Sequence, residues 1–459
     1  MRFFLAVFIL CFGISCKNDQ PQGLSIQFDT YNADQLTYSD GQTKISNEVQ
    51  GKFIHNFFLP WQLPADQLLD SLNIFAGKEI GYLENYLEDD AWYGENKKPH
   101  TKKQREAIVV NSGAESYPNF LKRGIVISHT NLRRVPTIKP GFDTYSKAGE
   151  GYPFDYFQET GLWANTPVLI VHLSRDKQWC YVISPYYKGW VATHDLAIVD
   201  DEIISQWNNG NYCHPLSDEL NLSNTTSNYA INSKIGMLLP YEEIVDKPDH
   251  IKIYYAAADE NQNAKILKAE VAKNNVAFNN FSFNEQNLRH LVSNLLGKPY
   301  GWGGYLENRD CSSMIRDLLG TYRIWLPRDS KDQMALGHKY EFPNNSEEKI
   351  NLIKEKGTPF LTILRKPGHN MLYVGDNEKG EPLILHAIWG LKTSYTNQQL
   401  AEYLKTYPIE GIHQDEDGTL KGRQIIGEVI ITSVNAAANS EYTPALIDII
   451  YEMTNILEE

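Results

Sequence analysis

The order of hydrophobic and polar positions divides the chain into a helical beginning, a strand-rich middle and a mixed end. In residues 41–123, the runs DQLLDSLNIF and EIGYLENYLEDDAWY have the spacing of amphipathic helices. The run KKPHTKKQRE instead has the charge of a solvated surface stretch. We therefore predict that residues 41–123 form a mostly helical N-terminal region.

Short alternating runs with frequent turn residues characterise residues 124–200. The stretch LIVHLSRDKQWCYVIS predicts a β-hairpin around the polar turn Ser174–Lys177, and GWVATHDL adds another strand and a short turn. Residues 201–282 repeat this style less clearly, in KIGMLLP, HIKIYYAAA and KILKAEV. The pattern is typical of small SH3-like barrels, so we predict one or two such all-β domains, at 124–200 and 201–282.

The last block, 283–459, combines helices with strands. Asn284 is placed to cap the amphipathic helix EQNLRHLVSNLL, which Gly297 would end. A glycine-rich loop and a second helical run, CSSMIRDLL, come next, followed by the strand-like runs PFLTILRK, HNMLYVGDN and EPLILHAIW. Helices followed by an antiparallel sheet predict an α+β domain.

The beginning of the chain carries an export signal on our interpretation. Met1 and Arg2 precede the apolar run FFLAVFILCFGIS, which is shorter than the roughly 20 residues that a membrane-spanning helix needs. The tripeptide before Cys16 resembles a bacterial lipoprotein processing site, although Gly13 stands where leucine is usual. We predict a signal peptide at 1–15, a lipidated Cys16 and a polar tether at 16–40. The alternative is an ordinary signal peptide with an incidental cysteine.

The predicted location is therefore outside the cytoplasm, in the periplasm or at the cell surface, with membrane contact only through the lipid.

The 459 residues are enough for several domains, and 42% hydrophobic residues are enough to form their cores. The net charge of −14 and the lack of a basic stripe argue against nucleic acid as a partner. No HExxH motif or phosphate-binding glycine loop occurs, so we predict no metal and no cofactor.

Cysteine usage directs attention to one thiol. Without Cys11 and Cys16, the exported chain keeps Cys180, Cys213 and Cys311. Three is an odd number, so at least one thiol stays free in an oxidising compartment. A bridge between Cys180 and Cys213 is left open.

Cys311 is the candidate nucleophile, because it starts a helix after a glycine loop. The N–H groups at a helix N-terminus favour a thiolate and lower the thiol pKa. His369 opens one predicted strand and His386 lies in the next, so antiparallel pairing would bring the two imidazoles together. One histidine would activate the thiol and the other would orient the first, an arrangement that predicts covalent cysteine catalysis.

The segments YGWGG, RDCSS, LPRDSKDQ and GHNMLYVG resemble the NlpC/P60 family of bacterial cell-wall cysteine peptidases. The upstream segments LRRVPT, FDYFQETGLW and SRDKQWCYV resemble the SH3-like domain of members that trim murein peptides. The resemblance implies a papain-like fold for 283–459 and hydrolysis of the bond between γ-D-glutamate and a diamino acid. The YLEN segment that follows the glycines departs from the family pattern.

The resemblance also implies roles for individual residues. Cys311 matches the nucleophile, His369 the base, His386 the residue that orients the base, and Tyr300 the tyrosine that helps to hold the oxyanion. The positions that match the substrate pocket are Asp310, Ser312, Trp302 and Ser330.

Family members of this type require a free L-alanine amine on the substrate. Asp310 could bind this ammonium together with Tyr187 and an acid of the SH3-like domain, either Glu159 or Asp155. The expected partner is a murein peptide, L-Ala-γ-D-Glu-diamino acid, released during cell-wall recycling. Two alternatives remain: a non-catalytic wall-binding lipoprotein, and a papain-like amidase or acyltransferase that acts on another amide or on lipid.

Overall fold

The computed structural model describes residues 26–36, 43–63, 82–88, 92–143, 151–225, 227–395, 413–414 and 420–458. The predicted export signal at 1–15, the lipidation site Cys16 and the helix predicted in DQLLDSLNIF lie outside these residues. Within this part of the chain, no helix combines the length and the hydrophobicity that crossing a bilayer requires.

A seven-stranded antiparallel sheet, with strand order β3-β2-β6-β5-β4-β1-β7, occupies the first strand-rich block. Its strands are β1 (Lys122–Val126), β2 (Thr130–Arg133), β3 (Gln158–Leu162), β4 (Pro167–Leu173), β5 (Trp179–Ile183), β6 (Lys188–Ala192) and β7 (Leu196–Ile198). The predicted hairpin is confirmed, since β4 and β5 pair from Leu169↔Ile183 to Leu173↔Cys180.

The second strand-rich block begins with helix α4 (Asp201–Trp207) and contains a five-stranded sheet, β13-β12-β11-β8-β14, and a β9–β10 pair. Its strands are β8 (Tyr212–Pro215), β9 (Asn221–Leu222), β10 (Ile231–Asn232), β11 (Leu239–Glu243), β12 (His250–Ala258), β13 (Ala264–Ala272) and β14 (Val276–Ala277). The long β12–β13 hairpin contributes Ile253, Tyr255 and Ala269 to its core.

The last block confirms the predicted combination of helices with an antiparallel sheet, whose order is β15-β21-β16-β17-β18-β20-β19. The helices are α5 (Glu285–Leu295), α6 (Cys311–Gly320), α7 (Ser330–Gln333), α8 (Ser346–Lys356) and α9 (Leu446–Ile449). The strands are β15 (His338–Tyr340), β16 (Thr362–Lys366), β17 (His369–Asp376), β18 (Pro382–Tyr395), β19 (His413–Gln414), β20 (Leu420–Ser433) and β21 (Glu452–Asn455). Helices α5 and α6 bury their apolar faces against the central strands, which fixes α6 on the sheet.

The N-terminal region contains helix α1 (Asn47–Gln62), which the sequence did not predict, a short helix α2 (82–88) and α3 (Lys102–Ser112). Aromatic residues of α1 share a core with residues of both strand-rich blocks. The run KKPHTKKQRE is a largely exposed stretch, as predicted, and it also contains the start of α3. Thr101 and Gln104 form a capping box there, and the buried Arg105 donates hydrogen bonds to the carbonyls of Leu87 and His100.

Residues 26–36 correct the predicted tether at 16–40, because they pack on the C-terminal domain. The Tyr31 N–H donates to the Ile431 carbonyl at 3.0 Å, and Ile26 exchanges two hydrogen bonds with the Gln424 amide. Ile26 and Leu36 are also buried. These apolar residues, although few, hold the segment on β20 despite its polar composition.

Candidate active site

Cys311 is the first residue of α6, directly after the N-cap residue Asp310. Asp310 Oδ1 accepts the Ser313 N–H at 2.9 Å, and Ser313 Oγ accepts the Asp310 N–H at 2.9 Å. This capping box fixes the start of the helix. Only 8% of Cys311 is exposed, so the sulfur is largely withdrawn from solvent.

The two predicted histidines lie together beside this cysteine. His369 Nε2 and His386 Nδ1 are 3.0 Å apart, across a β17–β18 pairing whose register shifts between Tyr373 and Gly375. The backbone N–H of Asn370, the residue after His369, donates a hydrogen bond to the Cys311 sulfur. The start of β17 therefore places His369 next to the thiol.

The hydrogen bonds of His386 support a specific protonation pattern. His386 Nε2 lies 3.3 Å from Thr432 Oγ1, while its Nδ1 faces His369. When His386 donates its Nε2 proton to Thr432, its Nδ1 accepts the Nε2 proton of His369. In this tautomer, Nδ1 of His369 is the free basic nitrogen, available for the Cys311 proton.

The expected lowering of the thiol pKa is wrong for this resting geometry. Burial, and then the carboxylate of Asp310, raise the pKa of Cys311 to about 11. Burial, followed by Lys366, His386 and Arg423, holds the pKa of His369 well below its ordinary value. A helix N-terminus contributes about 0.3–2 kcal/mol, less than the several kcal/mol that burying an ion costs. The pair therefore rests as a neutral thiol and a neutral imidazole.

Tyr300 stands close to the nucleophile. Its backbone forms a bridge with Arg309, and the Gly301 N–H donates to the Arg309 carbonyl at 3.0 Å. Burial, together with the nearby Cys311 and Asp310, raises the pKa of Tyr300 well above its ordinary value. The phenol therefore stays protonated and can donate a hydrogen bond to an oxyanion.

The Asp310 carboxylate is hydrogen-bonded by several groups of the chain. Its Oδ2 lies 2.5 Å from Arg328 Nη2 and accepts the Gly303 N–H, while its Oδ1 accepts from Ser313. Arg328 also donates to Ser312 Oγ at 2.8 Å. Asp310 and Ser312 thus shape the site by holding Arg328.

Of the two acids left open in the SH3-like region, Asp155 is structural. It pairs with Arg133 at 2.5 Å and accepts the Gly141 N–H at 2.8 Å, both within its own domain. Its backbone carbonyl accepts a hydrogen bond from Trp302 Nε1 at 3.0 Å. Trp302 therefore joins the glycine loop to this domain.

Ser330 begins α7, and its carbonyl accepts a hydrogen bond from Asn370 Nδ2 at 2.9 Å.

Glu159 and Tyr187, both of the first strand-rich block, are in contact. Glu159 Oε1 lies 2.6 Å from Arg134 Nη1, and the Tyr187 hydroxyl is hydrogen-bonded to the Glu159 carboxylate. Burial and the charges of Glu159 and Asp329 raise the pKa of Tyr187. The structure therefore brings the predicted Glu159–Tyr187 pair together at the edge of the catalytic domain.

Asp329 is a residue that sequence reasoning missed. It lies between Arg328 and Ser330, and burial and its neighbours Asp332 and Asp310 raise its pKa. No ion pair forms at Asp329 within the described ranges. Its place in the LPRDSKDQ motif was the available signal, but its nearness to Tyr187 depends on how the domains dock.

The glycine-rich loop before Cys311 explains how the first strand-rich block docks on the catalytic domain. Gly303 and Gly304 have φ of 60° and 80°, a region that favours glycine. A Cβ on Gly304 would lie 2.5 Å from the Gly161 nitrogen of β3, so a side chain there would push the domains apart. In the YLEN segment, Leu306 is 71% exposed.

The three cysteines of the described chain, Cys180, Cys213 and Cys311, are all unbridged. Cys180 and Cys213 lie in separate cores, in the first and second strand-rich blocks. The pair left open by the sequence is therefore not a disulfide in this structure. No group of metal-binding side chains occurs among the residues that the structure describes.

A helix that begins at a cysteine, packed on a sheet that carries a histidine pair, defines the class of papain-like cysteine hydrolases. Residues 297–407 match the NlpC/P60 family, and residues 140–192 match the family "SH3 domain (SH3b1 type)". The chain therefore carries an SH3b domain ahead of an NlpC/P60 domain. This confirms the predicted multidomain fold class and supports a hydrolase of the NlpC/P60 endopeptidase type.

One solved structure is similar in fold over 95% of this chain. An NlpC/P60 endopeptidase from Photobacterium damselae subsp. piscicida is 24% identical, with 95% of this chain and 99% of that chain covered at a TM-score of 0.77. An NlpC/P60 family protein from Bacillus cereus ATCC 10987 is 17% identical over 65% of this chain and 82% of that one, with a TM-score of 0.42. The first likeness shows a shared fold. No curated protein matches the sequence.

Proposed function

We propose that this protein hydrolyses the bond between γ-D-glutamate and a diamino acid in murein peptides that have a free N-terminal L-alanine. The observation that carries the proposal is the docking of β3 on the glycine loop beside the Cys311–His369–His386 site. This docking brings Glu159 and Tyr187 of the SH3b domain to one end of the site, close to Asp329.

The chemistry follows from the positions of the catalytic groups. His369 Nδ1 takes the proton from Cys311 as the sulfur attacks the γ-carbonyl carbon. The Cys311 N–H at the helix start and the Tyr300 hydroxyl donate hydrogen bonds to the oxyanion. His369 then protonates the amine of the departing diamino acid. Water hydrolyses the resulting thioester with His369 again as the base, and His386 keeps the imidazole in position throughout.

The amine end of the substrate is assigned to Glu159, Tyr187 and Asp329. Glu159 and the Tyr187 hydroxyl are hydrogen-bonded to each other, and Asp329 is close enough to raise the pKa of Tyr187. A primary ammonium is a compact donor of three hydrogen bonds, which suits a cluster of carboxylates. Asp310 pairs with Arg328 beside this cluster, as Glu159 pairs with Arg134 within it.

The proposed setting is cell-wall recycling outside the cytoplasm. The apolar N-terminal run and the residues before Cys16 support export and a lipid anchor, so the periplasm or the cell surface is the proposed location. A requirement for a free alanine amine suits released peptides, because in intact wall that nitrogen is bonded to muramic acid.

The proposal is tested with purified protein and L-Ala-γ-D-Glu-diaminopimelate. We expect release of the free diamino acid and of L-Ala-γ-D-Glu, detected by mass spectrometry, and no release by the Cys311→Ala variant. Cleavage at the L-Ala–D-Glu bond, or no cleavage by folded wild-type protein, would reject this function.

A further inference from the structure

A cavity of about 480 Å³ lies at the end of α6 that is opposite to Cys311. The ten residues of α6 span about 15 Å, so this cavity is separate from the catalytic site. Its walls come from residues 43–50 at the start of α1, from the segment 278–284 between β14 and α5, and from residues 321–323 after α6. The volume is within the range of pockets that hold small ligands.

Arg323 is the buried cation of this cavity wall, with only 6% of the residue exposed. Its Nη2 donates a hydrogen bond to the Tyr212 carbonyl at 3.1 Å, whereas its Nε has no hydrogen-bond partner among the described residues. No carboxylate of the described ranges forms an ion pair with this guanidinium. A buried charge is costly unless an opposite charge accompanies it, so an anion at this position would be stabilised.

The side chains around Arg323 do not supply this anion. Burial lowers the pKa of Arg323, and the groups that act in the other direction are Cys213, Tyr212 and Tyr241, none of which is a carboxylate. Burial raises the pKa of Cys213 and of Tyr212, so both are uncharged near neutral pH. Burial, followed by the charge of Arg323, lowers the pKa of His214 to about 3, so this neighbour is neutral as well.

The rest of the lining suits an organic acid. The described residues that line the cavity include no aspartate or glutamate, although the whole chain has a net charge of −14, and Lys44 adds a second cation. The half-buried Phe281 stacks on Tyr322 with the ring centres 5.3 Å apart, which gives the cavity an apolar wall. The exposed Asn279 and Asn280 add side-chain amides that can bind polar groups of a ligand.

We propose that this cavity binds a small organic carboxylate, whose carboxylate pairs with Arg323 and whose apolar part packs against Phe281. A guanidinium is a planar fork of N–H donors, and its shape matches the two oxygens of a carboxylate. The site is distinct from the Cys311 site, and its occupation does not depend on peptide hydrolysis.

The test compares the binding of benzoate with that of benzamide, its neutral analogue of the same shape, by isothermal titration calorimetry. The full-length protein should bind benzoate more tightly by about 10-fold or more, the effect of one charge-assisted contact. Arg323→Met should remove this preference. No binding of benzoate, equal affinity for the two probes, or a preference that persists in folded Arg323→Met would overturn the site. Tighter binding of inorganic phosphate than of benzoate would overturn its assignment to a carboxylate.

Because Arg323 is buried, a second variant tests the site without altering the core. Asn279→Asp places a negative charge on the lining at an exposed position, and it should weaken benzoate binding by about threefold or more while benzamide binding is unchanged. Asn261→Asp makes the same change at the exposed turn between β12 and β13, and it should alter neither affinity. Equal effects of the two variants on benzoate binding would overturn the location of the site.

Discussion

Arg309 and Asp317 form the ion pair through which the nucleophile helix contacts both strand-rich blocks. Arg309 Nε donates to Asp317 Oδ2 at 2.8 Å, and the same oxygen accepts from Trp163 Nε1 at 2.8 Å. The other end of Arg309 donates to both oxygens of Asp218, at 2.6 and 2.9 Å. Since Arg309 stands two residues before Cys311, the position of the sulfur depends on how both blocks dock.

We expect Arg309→Met to lower the free energy of unfolding by about 3–5 kcal/mol, because it leaves the buried Asp218 carboxylate without its ion-pair partner, while Asp317 keeps only Arg316. Chemical denaturation measures the change. The exposed Arg175, which pairs with Glu115 at 2.7 Å, provides the control, since Arg175→Met should cost about 1 kcal/mol or less. Equal losses in the two variants would mean that the buried network contributes nothing special.

The active-site histidines should differ in their effect on rate. Cys311→Ala should abolish hydrolysis while the protein stays folded. His369→Ala should lower kcat by about 10²–10⁴-fold, the usual contribution of a general base. His386→Ala should cost less, because it orients the base and does not exchange a proton with the thiol. Steady-state kinetics give the order, and the reverse order would exchange the two roles.

The pH dependence distinguishes a neutral pair from a preformed ion pair. The pKa of Cys311 is raised to about 11, so its thiolate fraction should still increase through pH 9. The rate of Cys311 alkylation by iodoacetamide should therefore rise continuously over this range. The pKa of His369 is held well below its ordinary value, so the base stays unprotonated and kcat/KM should persist into mildly acidic pH. A plateau of alkylation that begins below pH 7 would contradict the neutral pair.

The contact between Gly304 and Gly161 predicts a difference between two glycines of similar backbone conformation. Gly304→Ala should destabilise the protein and reduce activity, because its Cβ would lie 2.5 Å from the Gly161 nitrogen. Gly210 has φ of 83°, and a Cβ added there would meet nothing within 4 Å, so Gly210→Ala carries the backbone cost alone. Thermal unfolding and kcat of both variants separate the two effects, and equal behaviour would remove the docking argument.

Acetylation of the alanine amine should nearly stop cleavage. It removes the charge that Glu159, Tyr187 and Asp329 are proposed to bind, and a desolvated charged contact is worth about 2–5 kcal/mol, or tens to thousands in rate. Asp329→Asn should raise KM for the free peptide, whereas Asp246→Asn, at an exposed site of the second strand-rich block, should not. Comparable kcat/KM for the free and acetylated peptides would remove the ammonium site.

Local patterns predicted those elements whose residues are adjacent in sequence. Helix α5 with its Asn284 cap, the start of α6 at Cys311 and the β4–β5 hairpin all follow from short-range periodicity and turn residues. Helix α1 escaped prediction, because Gly51 and Pro60 interrupt its pattern and its aromatic residues contact several domains. The packing of residues 26–36 was missed because it depends on partners about 400 residues away.

In the candidate site too, local patterns predicted some residues, and contacts made by tertiary folding were missed. The sequence predicted Cys311, His369 and His386 because each lies in a short motif. Antiparallel pairing alone was enough to predict that the two histidines meet. The pairing of Asp310 with Arg328 was not predicted, because tertiary folding brings Arg328 to it. The thiol pKa was misjudged for a related reason, since the degree of burial is set by the whole domain and outweighs the local helix terminus.

The position of Ile26 limits how far an anchored enzyme could travel. The backbone of Ile26 is hydrogen-bonded to the Gln424 amide on β20. A tether that starts at Cys16 would therefore end at the catalytic domain itself. With a lipid on Cys16, as proposed, the chain from Cys16 to Ile26 spans at most about 33–36 Å. The active site would then stay within a thin layer above the bilayer. It would therefore act on wall fragments near the membrane surface, and most of the wall would lie beyond its reach.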